Sequence, residues 1–162
     1  MTIVVKTNNL SRVMEKSKAK REGSREEAVF LDLIRTADLL SRRAEQLLKI
    51  EDLSMTQYNV LRILRGSPDG LACGEIGNRM VTRDPDITRL LDRMEKRELI
   101  SRSRETTDRR VVIAKITSTG LELLARLDKP VQEIHRAQFG HLGEKRMTEL
   151  SELLAACRER LT

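Results

Sequence analysis

The chain has 162 residues, of which 39% are hydrophobic, 35% charged and only 2% aromatic. This suits one domain or two small ones with a buried core, and it argues against both a single-strand binder built on aromatic stacking platforms and an aromatic-lined cofactor cleft. The net charge of +6 is unevenly spread, with +3 in residues 1–27, −1 in 28–52, +4 in 53–116 and 0 in 117–162; such a localised excess suggests an anionic partner such as nucleic acid, with a merely solvated surface as the alternative.

Residues 1–27 are polar and mixed in charge, without a strong apolar period, and read as a mobile basic arm. From Glu26 the pattern turns helical. Phe30, Ile34, Ala37, Leu40, Ala44 and Leu47 recur at spacings of three and four, widened by Leu33 and Leu48, up to an end near 50–52. Ser54 is a cap for a second helix, with Gln57 three residues on as in a capping box, and Val60, Leu61 and Leu64 form its apolar face. GSPDG at 66–70 breaks it.

CGEIGNRM at 73–80 reads as a short third helix buried through Ile76 and Met80. A turn, VTRDPD, leads to a fourth. Asp84 is its expected N-cap, with Pro85 at the first helical position. Ile87, Leu90, Leu91 and Met94 supply the core stripe, and Thr88, Arg89, Asp92, Arg93 and Lys96 the polar face. LISRSRE (99–105) and RRVVIAKIT (109–117) predict a two-stranded hairpin around TTD. Thr117 caps a long helix with Leu121, Leu124, Leu127, Val131 and Ile134 on one face, kinked at Pro130. A last helix carries Leu150, Leu153, Leu154, Cys157 and Leu161.

A short helix, a turn, a helix with a polar face and a hairpin make a winged helix-turn-helix. The fourth helix is then expected in a DNA major groove, where Thr88, Arg89 and Arg93 reach bases or phosphates. At the hairpin tip, Asp108 can accept from Arg110 or pair with Arg109. One tip arginine enters the minor groove, where narrow A·T tracts attract cations, and the other binds the backbone.

The run LSMTQYNVLRIL…ITRLLDRMEKRELISRSRETTDRRVVIAKITSTG resembles the MarR family of bacterial transcription regulators over about residues 28–160. Its most specific parts are DRR at 108–110, TRLLDRME and ITSTG. The resemblance implies a mostly α fold with a small β-hairpin wing, a winged helix-turn-helix with N- and C-terminal dimerisation helices. Residues 28–52 and 117–162 would form the dimerisation region and 53–116 the DNA-binding region. Two lobes of a homodimer would read double-stranded DNA at a pseudo-palindrome, with half-sites about one helical turn apart.

By position, the family's major-groove contacts fall on Thr82, Arg83, Asp86, Thr88, Arg89 and Arg93. Its wing arginine matches Arg110, supported by Asp108, and Arg104 and Arg109 are assigned to phosphate. The family usually has glycine after the recognition helix, where a left-handed residue ends it. Here that place holds Glu98.

The resemblance also implies release of DNA by a small ligand, commonly an anionic phenolic compound, bound between the dimerisation helices and the DNA lobe, and no cofactor. Cysteine oxidation is the alternative switch. Cys73 starts a helix, whose dipole lowers a thiol pKa. Cys157 lies on an apolar stripe, as buried free cysteines do. His135 and His141 flank the end of the long helix and could line a pocket. Two distant cysteines make neither a disulfide framework nor a metal site. No apolar run approaches a membrane span, so the expectation is a soluble protein of the reducing cytoplasm.

A phosphate-binding glycine loop, a metal cluster and a nucleophile–base motif are all missing from the sequence, which argues against an enzyme. A winged helix that binds protein instead of DNA is the other alternative. It would need neither a basic recognition face nor Arg110.

Overall fold

The computed structural model describes residues 23–82, 85–105 and 110–161. Most of the basic arm, Arg83, Asp84, Asp108 and Arg109 lie outside the described residues. The chain divides into two units, one up to Ser41 and one from Arg42 onward.

The first unit contains most of α1 (Arg25–Ile50), whose first turn carries Glu26 and Glu27, favourable to the helix dipole. Val29, Phe30, Leu33 and Ile34 are all exposed on it. Only beyond Ser41 does α1 contribute to a core, through Ala44 and Leu48.

The second unit begins where α1 stops. Asp52 has φ 51. Its amide bonds to Lys49 O and the Leu53 amide bonds back to Leu48 O, both near 3 Å. These paired bonds and the burial of Leu53 make a Schellman ending. Ser54 then caps α2 (Met55–Arg65) with the full reciprocal capping box predicted for Gln57.

Gly70, at φ 87, turns the chain into a two-residue strand, β1 (Leu71–Ala72). There a Cβ would meet Ala114 O at 2.8 Å. Helix α3 (Cys73–Arg79) follows, then α4 (Ile87–Lys96), β2 (Ile100–Arg104), β3 (Val112–Ile116), α5 (Ser118–Phe139), a 3-10 turn and α6 (Gly143–Glu159). The sheet order is β1-β3-β2, antiparallel throughout. The hairpin is as expected. β1 was not, because two residues carry no periodicity.

One core joins the elements of this unit from the end of α1 to α5. Val60, Leu61 and Leu64 of α2, Ile76 of α3, and Leu90, Leu91 and Met94 of α4 are fully buried, with Ala114 of β3 and Leu124 and Leu127 of α5. Burial of the Val, Leu, Ile and Met side chains among these contributes roughly 1.5–3 kcal/mol each.

Three expectations need correction. Leu121 is 43% exposed and Leu123 is buried in its place, while Leu124, Leu127 and Val131 of the predicted α5 stripe are buried as expected. On α6 no residue is buried, so its predicted stripe reaches no core within the described residues. The recognition helix starts at Ile87 with Asp86 as its cap, instead of at Pro85 behind Asp84. Starting earlier would add no apolar side chain to the core. Helix α5 runs through Pro130 from Ser118 to Phe139.

Candidate nucleic-acid interface

Helix α4 is amphipathic because its apolar residues recur at 87, 90, 91 and 94. Three of these are buried, and Ile87 packs against the core. The opposite face therefore turns outward. Thr88, Arg89, Arg93 and Lys96 are exposed. Thr82, in the turn before the helix, is exposed as well.

Asp86 is only half-exposed. One carboxylate oxygen accepts the Arg89 amide at 3.1 Å, and the other lies 3.1 Å from Arg89 Nε. The cap thus fills the anion-seeking end of the helix dipole and holds Arg89 by its own side chain. Its geometry gives Asp86 a role in presenting Arg89.

At the other end, Glu98 has φ 57. Its amide bonds to Glu95 O at 2.8 Å and the Leu99 amide to Met94 O at 3.1 Å, while Leu99 is buried. This is a complete Schellman motif with glutamate at the left-handed position. The departure from glycine leaves the way the helix ends unchanged.

Arg97 donates to the carbonyls of Asp52 and Glu51, the latter at 3.2 Å. The recognition helix thereby satisfies the carbonyl end of α1. Glu51 in turn pairs with Arg126 of α5 at 3.0 Å.

The wing is fastened by one side chain. Arg102 of β2 donates Nε and Nη2 to Glu95 Oε2 at 2.9 and 2.7 Å, and Nη2 to Asp92 Oδ1 at 2.5 Å. Its backbone amide donates to Glu95 Oε1 at 3.0 Å. The guanidinium holds the Glu95 carboxyl below the usual carboxylate range. Two acidic groups of α4 are therefore paired with one cation of the hairpin.

Further out along the same strand face is Arg104, exposed, and across the tip Arg110, exposed as well. The structure so brings Thr82, Thr88, Arg89, Arg93, Arg104 and Arg110 onto the exterior of one helix-and-hairpin unit. Sequence reasoning missed the roles of Arg97 and Arg102. The signal for Arg102 was present. It shares the inward phase of β2 with buried Ile100, where an arginine needs an acidic partner.

Among the concavities formed by the described residues, two bear on ligand binding. One, of about 580 Å³, lies beside the carbonyl end of α1 and is lined by Lys49, Arg93, Lys96 and Arg97, with Asp52. The other, of about 520 Å³, runs between α5 and α6, with His135, Arg136, Phe139, Met147 and Leu150 among its walls. His135 lines it; His141 is not among its lining residues.

The cysteines fall differently from expectation. Burial pushes the Cys73 thiol up, more strongly than nearby Arg102 lowers it. Cys157 is exposed, because α6 turns no face into the core. Among the described residues no cluster of metal-ligating side chains occurs, and no helix is long and apolar enough to cross a membrane.

Comparison with known proteins decides the kinship. The MarR family model matches residues 53–112, which run from just before α2 to the first residue of β3. A MarR transcription factor of known crystal structure from Planctomyces limnophilus is 39% identical. The match covers 84% of this chain and 99% of that one, with a TM-score of 0.65. The chain belongs to the MarR family.

Two further relatives are similar along most of their length. The transcriptional regulator FarR of Neisseria gonorrhoeae is 27% identical over 82% of this chain and 90% of its own. The transcriptional repressor IacR of Pseudomonas putida is 27% identical over 84% and 81%. This MarR-family protein is accordingly a DNA-binding transcription regulator and not an enzyme.

Proposed function

We propose that this MarR-family chain acts as a homodimeric repressor at a pseudo-palindromic operator and releases DNA when a small anionic ligand binds. The carrying observation is the outward face of α4, where Thr88, Arg89, Arg93 and Lys96 stand exposed beside a fastened wing bearing Arg104 and Arg110. Bidentate arginine is the commonest reader of guanine edges in the major groove. The wing arginine Arg110 enters the minor groove, supported by Asp108, while Arg104 and Arg109 contact phosphate. Arg83 belongs to the same set by its position. IacR is named a repressor, which supports that sign of regulation.

The homodimer reading is supported by apolar side chains without cover. Phe30, Ile34 and Leu153 are each more than half exposed, and a second copy would bury them. Ligand release is supported by the basic concavity at Lys49, Arg93, Lys96 and Arg97. An anion there competes with DNA for Arg93 and Lys96.

The test is fluorescence anisotropy on a duplex from upstream of the chain's own gene, beside a shuffled duplex, across several salt concentrations. A specific regulator binds the first tightly, and log K falls by about 0.9 per log unit of salt for each phosphate contacted. Equal weak binding to both, insensitive to salt, would instead mark a protein-binding winged helix.

A further inference from the structure

We infer that Arg102 is a positioning residue for DNA recognition, setting the wing's angle to the recognition helix without touching DNA. The inference rests on the reading of Arg110 as a DNA contact.

Arg102 ties the two elements that read DNA. On β2 it stands opposite Ala114 of β3, which is fully buried. Its own side chain is 21% exposed. Its guanidinium spans two carboxylates one helical turn apart on α4, at Asp92 and Glu95. A planar fork does this with fixed geometry, which a lysine ammonium cannot reproduce.

The backbone is fastened as well. β2 is an edge strand of the order β1-β3-β2, and the outward Arg102 amide goes to Glu95 Oε1. The hairpin is thus held to α4 through three donor atoms of one residue. Arg104, two residues on, inherits its direction from this attachment. The same contact turns Asp92 and Glu95 towards Arg102, which offsets one of their two negative charges beside Arg89 and Arg93.

A double-mutant cycle in DNA binding tests this, with Arg102→Lys and Arg110→Ala. The lysine keeps the charge and loses the fork. We expect Arg102→Lys to weaken specific binding about tenfold in the parent chain and less than about twofold once Arg110 is alanine, as coupled residues do. Equal losses in both backgrounds, or no loss in either, would overturn the inference. If Arg110→Ala itself changes nothing, the DNA role of Arg110 fails instead.

Amide exchange without DNA tests the attachment independently. It requires β2 and β3 amides to exchange about tenfold faster in Arg102→Lys, with the α2 amides of Val60–Leu64 unchanged. Identical wing exchange in both proteins sinks the role whatever DNA does. Faster exchange everywhere would show a residue needed only for global stability.

Discussion

The hydroxyl of Thr117 donates to the carbonyl of Glu98 at 2.6 Å while accepting the Gly120 amide at 3.1 Å. One side chain thus caps α5 and pins the residue that ends the recognition helix. The Thr117 amide adds a third tie, to Leu99 O at 3.1 Å. The two ends of the wing meet here, so the chain enters and leaves the hairpin at one fixed point.

Glu98 sits in a left-handed conformation that costs a non-glycine residue roughly 1–2 kcal/mol, and it is exposed. Glu98→Gly should therefore stabilise the protein by about 1 kcal/mol, offset in part by the freer unfolded chain. Urea unfolding reads this. A destabilised variant would show that the glutamate side chain makes a favourable interaction outweighing the strain.

Gly120 admits no side chain, because a Cβ would lie 2.3 Å from Leu99 O. The obstacle is backbone, fixed by the Thr117 amide. Gly120→Ala should cost about 1–3 kcal/mol, as overpacking does, and lower the thermal midpoint by several degrees. An unchanged midpoint would mean that the wing junction is free to shift.

Two wing arginines should behave differently. Arg110→Ala is expected to weaken specific binding by about 1–3 kcal/mol and relax base preference under the wing. Arg104→Ala should weaken all sequences alike and reduce the salt slope by about 1. Binding isotherms on an operator library separate them, and identical profiles would contradict the assignment.

Acid should loosen the tie between Glu95 and Arg102. The arginine holds the Glu95 carboxyl below its ordinary range, so the folded state favours the ionised form. That contribution is present above the unfolded carboxylate value, about 4.3, and is lost as pH falls through the lower folded value. The stability difference between the parent and Glu95→Gln should be constant near neutral pH and shrink below pH ~4. A difference independent of pH would mean the carboxylate's charge plays no part.

Sedimentation should show a dimer at micromolar concentration. Glu substituted for Phe30 and Leu153, which are 60% and 67% exposed, should give a folded monomer with weakened operator binding. A monomeric parent chain would remove the pseudo-palindromic site from the proposal.

Much of the second unit was legible in the sequence because it depends on neighbours a few residues apart. The Ser54–Gln57 capping box, the Thr117 cap, the inward residues of α2 and α4 and the hairpin around TTD all follow from side-chain reach and periodicity. The outward set Thr88, Arg89 and Arg93 follows too, since a helix that buries 90, 91 and 94 must expose the opposite face.

Other features were decided only by the fold. Asp84 was the expected cap of α4, and Asp86 takes that place by accepting the Arg89 amide. Leu123 replaces Leu121 because Gly120 abuts the Leu99 carbonyl, which turns the residue three positions on from it inward. Cys73 has its thiol pKa raised because burial outweighs the lowering by nearby Arg102. Arg97 and Arg102 acquire their roles from carbonyls and carboxylates brought near by chain folding, over 45 and 7–10 residues of sequence respectively. Local chemistry sets the elements and their faces, and the long-range sum of burial and charge pairing sets which polar groups fasten them together.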